Sequence, residues 1–160
     1  MLAAACAGAM ASAQAQNAPS RIGFVYTERL MTESKLAKVA DEKIQGEFSK
    51  RQKQVDEMIK RYKSSREKFD EDAPKLNDAD RVRRTRELLD MEKDVQRMQR
   101  EFNEDLIQRK NEERTAIAQK AFKLIEQVAE QEHLDVVLQE SVWTSPRIDI
   151  TDKILKLLDK

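Results

Sequence analysis

The sequence is poor in the residues that break a chain or turn it back. Among 160 residues it has three Gly, three Pro and 5% aromatic residues. An α/β enzyme built on glycine turns, or a β-sandwich with frequent turns, therefore has few places to form its turns. Charged residues make up 38% of the chain and hydrophobic residues 39%. This composition favours long, solvated helices, with one domain or one small core carrying a large extension.

The residues that build catalytic and metal sites are also scarce. There is one His, His133, and one Cys, Cys6. His133 falls where a long predicted helix meets a strand, and a helix C-terminus favours a cation, so a capping role is expected there. These residues cannot form a zinc site of the usual kind, and no Gly-rich phosphate loop is present. The sequence therefore predicts no enzyme, no metal site and no cofactor.

The net charge is zero, with 30 basic and 30 acidic residues, which gives no bulk signal for nucleic acid. The charges are nevertheless unevenly distributed. Residues 35–70 carry 11 basic against 7 acidic residues, and residues 81–100 carry 7 against 4. Residues 71–80 carry 1 against 4, and residues 101–133 carry 5 against 8. The basic segments would attract acidic chains or lipid head groups weakly and in a salt-dependent way. An ordinary coiled-coil charge pattern is the alternative.

The N-terminus has the features of a targeting segment. Residues 1–15, MLAAACAGAMASAQA, are uncharged and mostly Ala, with the Ala-x-Ala spacing of a signal-peptidase site at Ala11 to Ala13 and at Ala13 to Ala15. We interpret them as the remnant of a signal peptide whose basic start lies upstream. A flexible leader, or a lipobox ending at Cys6, is the alternative. Export to the periplasm would leave a mature chain without Cys, held together by packing or association.

Apolar residues predict a helical hairpin over residues 35–129. Pro74 is the one strong interruption of a long helical tract, and Asn77 can cap the helix that follows. Apolar residues on both sides of it recur at heptad spacing, which is typical of a coiled-coil seam. They are Phe48, Val55, Tyr62 and Phe69 before the tip, and Leu88, Met91, Val95, Met98 and Phe102 after it. The tip is expected near 71–79, and a broader stripe over 117–129 predicts an embedded base.

The two ends of the chain, 16–34 and 130–160, are expected to form a small β body. Four strands are predicted at 22–26, 134–138, 141–144 and 147–151, and Thr151 is expected to cap a terminal helix. Such short strands leave open edges and little core, so we expect the chain to oligomerise through them. The candidate interface residues are Phe24, Val136, Leu138 and Ile148. The predicted fold class is mainly α with a small β body and a long helical hairpin.

The opening of this body resembles a known family. Residues 21–30, RIGFVYTERL, followed by Glu33 and Ser34, are similar to the opening motif of the Skp/OmpH-like periplasmic chaperones. Residues 134–138 and 149–155 resemble that family's last strands and helix. The resemblance implies a homotrimer in which strands from three chains form a central β-barrel and three helical arms enclose a cavity. It implies that the cavity holds unfolded outer-membrane proteins without ATP.

For a chaperone of this kind, client contacts would lie on the arms. Basic residues of the shafts would speed the encounter, and methionines would offer adaptable apolar surface if they face inward, although their heptad positions favour the seam. The candidates are Lys50, Arg51, Met58, Arg83, Arg84, Met91 and Met98. Two other functions stay open: a coiled-coil structural tether in the cell envelope, and a module that binds anionic lipid surfaces. Weak contact with anionic lipid is also compatible with the chaperone role.

Overall fold

The computed structural model describes residues 21–160, so the predicted signal peptide lies outside the described residues. Two long helices form an antiparallel hairpin on a small body made from both ends of the chain. In chain order the elements are β1 (Ile22–Phe24), α1 (Thr27–Glu33), α2 (Lys35–Asp72), α3 (Asp78–Gln131), β2 (Val136–Leu138) and α4 (Thr151–Leu158), with 3-10 turns at Ala73–Lys75 and Pro146–Ile148. The predicted fold class is confirmed.

Local sequence signals set the ends of the two long helices. The Ser34 hydroxyl accepts a hydrogen bond from the backbone N–H of Ala37 at 3.2 Å and begins α2. Pro74 lies in the turn that ends α2, and the Asn77 side chain accepts from the N–H of Asp80 at 2.8 Å to begin α3. With 38 and 54 residues, α2 and α3 are about 57 Å and 81 Å long.

Four ion pairs between α2 and α3 show that the hairpin keeps one register. They are Lys43–Glu113 (3.5 Å), Glu47–Arg109 (3.1 Å), Arg51–Asp105 (2.8 Å) and Asp72–Arg84 (2.8 Å). Among the first three pairs, the partner on α2 moves forward by four residues from one pair to the next, and the partner on α3 moves back by four. The last pair lies 21 residues further along α2 and 21 residues earlier in α3. Because 21 residues are three heptads, the seam runs to the tip without a skipped residue.

The predicted seam lies between these ion pairs and forms a thin core. Val55, Val95 and Phe102 are buried, and the ring of Phe48 meets that of Phe102 edge to face with centroids 5.7 Å apart. The other seam residues are only half-buried: Met58, Tyr62, Phe69, Leu88, Met91 and Met98. A core one side chain wide gives the arm few apolar contacts per turn, so its outer half should open more readily than the body.

The main hydrophobic core lies in the body, where both ends of the chain meet the base of α3. Leu30 and Ile154 have no exposed surface, and Val128 is 1% exposed. Val25, Ala121, Ile150 and Leu158 belong to the same cluster. The terminal helix α4 thus holds α1 and α3 together, and it joins residues more than a hundred positions apart in sequence.

The sheet has two strands, fewer than the sequence predicts. β1 and β2 are parallel, with Ile22 opposite Val136 and Phe24 opposite Leu138. On its other side β1 makes only a single bridge, from Phe24 to Asp149. The predicted strands at 141–144 and 147–151 are wrong: residues 141–145 have no regular structure, and Pro146–Ile148 form a 3-10 turn. Pro146 favours that turn, and the short segment before it pairs with no strand of the described chain.

The predicted capping role of Thr151 is also wrong. Thr151 is the first residue of α4 and is fully buried. Its backbone N–H donates to the Asp149 carboxylate at 2.8 Å, and its hydroxyl accepts from the N–H of Tyr26 at 2.9 Å. The Asp149 carboxylate therefore binds the first N–H of α4, and Thr151 joins α4 to the end of β1.

His133 ends α3 with a left-handed backbone, which motivates a first prediction. Its φ is 55°, a conformation that costs a residue with a side chain about 1–2 kcal/mol relative to Gly. We expect His133→Gly to raise the free energy of unfolding by about 1 kcal/mol, because Gly adopts this conformation freely. Urea denaturation measures the change. Glu132→Gly is the matched control, since Glu132 has φ −93° and its replacement should lower stability. Equal effects of the two substitutions would contradict the prediction.

Candidate functional site

The long helix α3 carries apolar side chains on the face that points away from the hairpin seam. Val82, Leu89 and Ile107 are 53%, 49% and 60% exposed. At 100° per residue they lie within about 20° of one another around the helix, roughly opposite Phe102 of the seam. We call these three residues the outer stripe.

Two basic residues lie on the same side of α3 as the outer stripe, in the interval between Leu89 and Ile107. Lys93 and Arg100 are both exposed. Lys93 is 3.8 Å from Asp90, and Arg100 makes no ion pair within residues 21–160. The outer stripe and its basic interval therefore form one long surface on which apolar and cationic groups follow each other.

The structure places the three candidate methionines in the seam. Met58, Met91 and Met98 are each half-buried between α2 and α3. They do not lie on the outer stripe, in agreement with their heptad positions. Most of each methionine side chain is therefore covered by the two helices, and the rest stays accessible.

Three of the four candidate basic residues are engaged in ion pairs. Arg51 binds Asp105 and lies 5.5 Å from the centroid of the Phe48 ring. The Arg84 ion pair with Asp72 closes the tip, and Arg83 contacts Asp80 at 2.9 Å. Lys50 is exposed and makes no ion pair within residues 21–160. Of the four, Lys50 is therefore the residue whose charge is most available to a partner.

The candidate interface residues separate into exposed and buried members. Val136 and Leu138 are 42% and 40% exposed and share one face of β2. Phe24 is 2% exposed and packs against Tyr26 with ring centroids 4.7 Å apart, while Ile148 is half-buried. Val136 and Leu138 thus present exposed apolar surface, whereas Phe24 supports β1 from within its own chain.

Four exposed apolar residues were not among the candidates predicted from the sequence. They are Val82, Leu89, Ile107 and Val142. Trp143 is 79% exposed in the single chain. A signal for Val82, Leu89 and Ile107 was present in the sequence. These apolar residues of α3 fall between the seam positions, where a solvated helix usually carries polar side chains.

At the base of the arm, the ion pairs form a connected network around Arg109. Its guanidinium contacts Glu47 at 3.1 Å and Glu113 at 2.5 Å, and the side chains of Arg109 and Glu113 are each 22% exposed. Hydrogen bonding from Arg109 lowers the pKa of Glu113 below its usual value, and Lys43 acts in the same direction. The network therefore binds both helices to each other while Glu113 is ionised.

This network predicts that the base of the arm loosens in acid. Because the pKa of Glu113 is lowered in the fold, its contribution is complete above the usual glutamate pKa of about 4.3 and is lost as the pH falls through the lowered value. Glu113→Gln should therefore lower the melting temperature at pH 7, with a smaller deficit near pH 3. Thermal unfolding followed by circular dichroism measures this. Glu130→Gln is the control, since Glu130 makes no ion pair within residues 21–160. A deficit independent of pH would contradict the prediction.

Metal-binding groups and membrane-spanning helices were also looked for in residues 21–160, and neither is found there. Within residues 21–160, His, Cys, Asp and Glu side chains form no group that could hold a metal ion. No helix in this range is both long and apolar enough to span a membrane.

The family of the chain is shown by its sequence. Residues 21–158 match the family described as Outer membrane protein (OmpH-like). The chain belongs to this OmpH-like family. The resemblance predicted from RIGFVYTERL and the closing segments is therefore confirmed, and the match covers the body and the whole arm of this OmpH-like protein.

A solved structure has the same fold. The crystal structure of a candidate outer membrane chaperone (OmpH-like) from Caulobacter crescentus CB15 superposes with a TM-score of 0.71. The alignment covers 89% of this chain and 85% of that chain at 15% sequence identity. At this identity the likeness shows a shared fold. A search of curated proteins finds no significant match.

Proposed function

We propose that this OmpH-like protein is a periplasmic holdase that keeps unfolded outer-membrane proteins from aggregating without using ATP. The observation that carries the proposal is the outer stripe, because a long hairpin arm displays half-exposed apolar side chains away from its own core. Membership of the OmpH-like family supports the client class. The arm binds a client through its surface and performs no chemical step.

The outer stripe suits an unfolded β-barrel protein. Strands of such clients alternate apolar and polar residues and have unpaired edges, so they aggregate in water. From Val82 to Ile107 the outer stripe spans about 38 Å of helix. Its apolar residues can cover several short apolar segments, and its basic interval can bind acidic residues between them. Each contact is weak, so clients of different sequence can bind and leave.

Assembly of three chains would turn separate arms into a cage. One chain has only a two-stranded sheet and a small core to support an arm whose two helices are about 57 Å and 81 Å long. Val136 and Leu138 supply exposed apolar surface at that sheet. Three arms around a central body would surround a client on several sides, which multiplies weak contacts.

Charge would act mainly on the rate of capture. Lys50 is one of several exposed cations of α2 that make no ion pair within residues 21–160, and Arg100 has the same property on α3. Surface charges raise association rates and salt dependence more than final affinity. The arginines at 51, 83 and 84 take part less, because their guanidinium groups already bind carboxylates of the arm.

Light scattering tests the proposal. A urea-unfolded outer-membrane β-barrel protein is diluted into buffer with and without this protein, at low and moderate salt, with an unrelated helical protein as the control. We expect suppression of scattering at one trimer per client, with no effect of added ATP. Absence of suppression, or a requirement for ATP, would contradict the proposal. Salt-sensitive binding to anionic vesicles without suppression would instead favour a lipid-binding module.

A further inference from the structure

Two methionines lie opposite each other in the seam of the arm. The four ion pairs between α2 and α3 fix which residues face each other, because the residue numbers of the two partners add up to 156 in every pair. Met58 and Met98 fit the same register, so they lie at one level of the hairpin, and both are half-buried. We call these two residues the methionine layer.

Buried apolar side chains lie on both sides of the methionine layer. Within one residue of the same register, Val55 faces Phe102 on the side toward the body, and Val95 faces Tyr62 on the side toward the tip. Over residues 45–116 the buried side chains are those of Val55, Val95 and Phe102. The methionine layer thus lies in the middle of the best-buried part of the outer arm.

A half-buried methionine keeps part of its thioether within reach of small oxidants. Residues 21–160 contain no Cys, so Met is the residue type that carries oxidisable sulfur in this part of the chain. A peroxide oxidises Met by two electrons. The sulfur attacks one peroxide oxygen, the S–O bond forms as the O–O bond breaks, and the departing hydroxide takes up the proton of the transferred oxygen. With hydrogen peroxide the products are methionine sulfoxide and water.

A sulfoxide is unfavourable at this place in the seam. Its S=O group is polar and accepts hydrogen bonds, whereas the neighbouring buried side chains of Val55, Val95 and Phe102 have no group that donates one. A polar group buried without a partner destabilises the closed arrangement, and a core one side chain wide offers little resistance. The base of the arm should stay closed, because the ion-pair network around Arg109 lies nearer the body.

We propose that the methionine layer is an oxidation site, at which conversion of Met58 and Met98 to sulfoxide by a peroxide separates the two helices of the outer arm. Separation uncovers Val55, Val95 and Phe102 and so adds apolar surface for an unfolded client. A methionine sulfoxide reductase reverses the change: a dithiol is oxidised to a disulfide, and the sulfoxide oxygen leaves as water. This inference rests on the proposed holdase, because the uncovered surface serves the same clients.

Hydrogen exchange of backbone amides after treatment with hydrogen peroxide tests the site. Mass spectrometry of peptides shows which methionines have gained an oxygen atom and how fast each segment exchanges. We expect oxidation of Met58 and Met98 in the folded protein and about tenfold faster exchange in residues 52–62 and 95–105, with no change in 151–158. Tenfold corresponds to about 1.4 kcal/mol, within the usual cost of burying a polar group without a hydrogen bond. Treatment with methionine sulfoxide reductases should restore slow exchange.

Substitutions assign the effect to the methionine layer. Met58→Leu combined with Met98→Leu removes both sulfur atoms and keeps apolar side chains of similar volume, so peroxide should no longer change exchange in the arm. Met91→Leu is the matched control, because Met91 is also half-buried in the seam but faces Ser65 instead of a second methionine. This variant should respond to peroxide as the wild type does. Met58→Gln combined with Met98→Gln places polar groups in the layer and should quicken exchange without oxidant.

Three results would overturn the inference: methionines that stay reduced in the folded protein, sulfoxides that leave exchange unchanged, and exchange that quickens equally in the double Leu variant. Light scattering of a diluted client gives the functional readout, and the oxidised protein should suppress scattering at a lower ratio of protein to client. Suppression that oxidation leaves unchanged would overturn the inference and leave the holdase intact. An arm that loosens on oxidation, in a protein that suppresses aggregation in neither form, would support the oxidation site and contradict the holdase.

Discussion

Replacing Val82, Leu89 and Ile107 together by Ser should remove most of the suppression of client aggregation. The three side chains are about half-exposed and contact solvent rather than the seam, so their change should leave the fold and the trimer intact. Covering each by a client would contribute roughly 1 kcal/mol. Together they should account for about two orders of magnitude in affinity. Light scattering of the diluted client, combined with sedimentation of the variant alone, measures both effects.

A matched control separates the outer stripe from general surface hydrophobicity. Val39 on α2 is 59% exposed, close to the value for Val82, and lies outside the outer stripe. Val39→Ser should therefore suppress scattering as well as the wild type does, whereas Val82→Ser should cause a small loss. Full activity of the triple variant would contradict the assignment and would direct attention to the seam or the basic residues.

Replacing Ile154 by Ala should have the largest effect on stability. Ile154 has no exposed surface and lies in the cluster that joins α4 to Leu30 and Val128. Truncation of a buried Ile removes apolar contacts and leaves a cavity, at a cost of about 2–5 kcal/mol. We expect the urea midpoint to fall strongly and the trimer to weaken, because the body carries both the core and the sheet.

Ile107→Ala is the control for this substitution, since it makes the same chemical change at a site that is 60% exposed. Its effect on the free energy of unfolding should be within about 0.5 kcal/mol. Similar losses for the two variants would show that the cluster around Ile154 does not hold the body together.

The parts of the fold that depend on neighbouring residues could be predicted from the sequence. Pro74 stops a helix through its own ring, and Asn77 and Ser34 bind backbone N–H groups three residues ahead. The seam follows from heptad spacing, which is a property of one helix at a time. These signals need no knowledge of distant parts of the chain.

The parts that depend on distant partners could not be predicted in the same way. Residues 141–144 have a composition suited to a strand, but a strand needs a partner, and this segment pairs with no strand of the described chain. Thr151 has the side chain of a helix cap, yet its hydroxyl accepts a hydrogen bond from the backbone N–H of Tyr26, which is 125 residues away in sequence. The fold of its own chain buries Phe24, a contact with Tyr26 and β2 that its sequence neighbours do not announce, and its place at an interface stays a prediction.

The candidate site shows the same division. The seam pattern explained the methionines and drew attention to the basic residues, three of which prove to be held by carboxylates from other turns or the opposite helix. The outer stripe has too few members to give a strong periodic signal in sequence. It became visible only when the exposed faces of α3 were known.

Sedimentation of the protein with an unfolded outer-membrane β-barrel client tests the central claim most directly. The mixture is prepared by dilution from urea without ATP, and the client carries an absorbing label. The account predicts a soluble complex of three chains with one client, and no large aggregates. Folded monomers that sediment alone, with the client in aggregates, would contradict it.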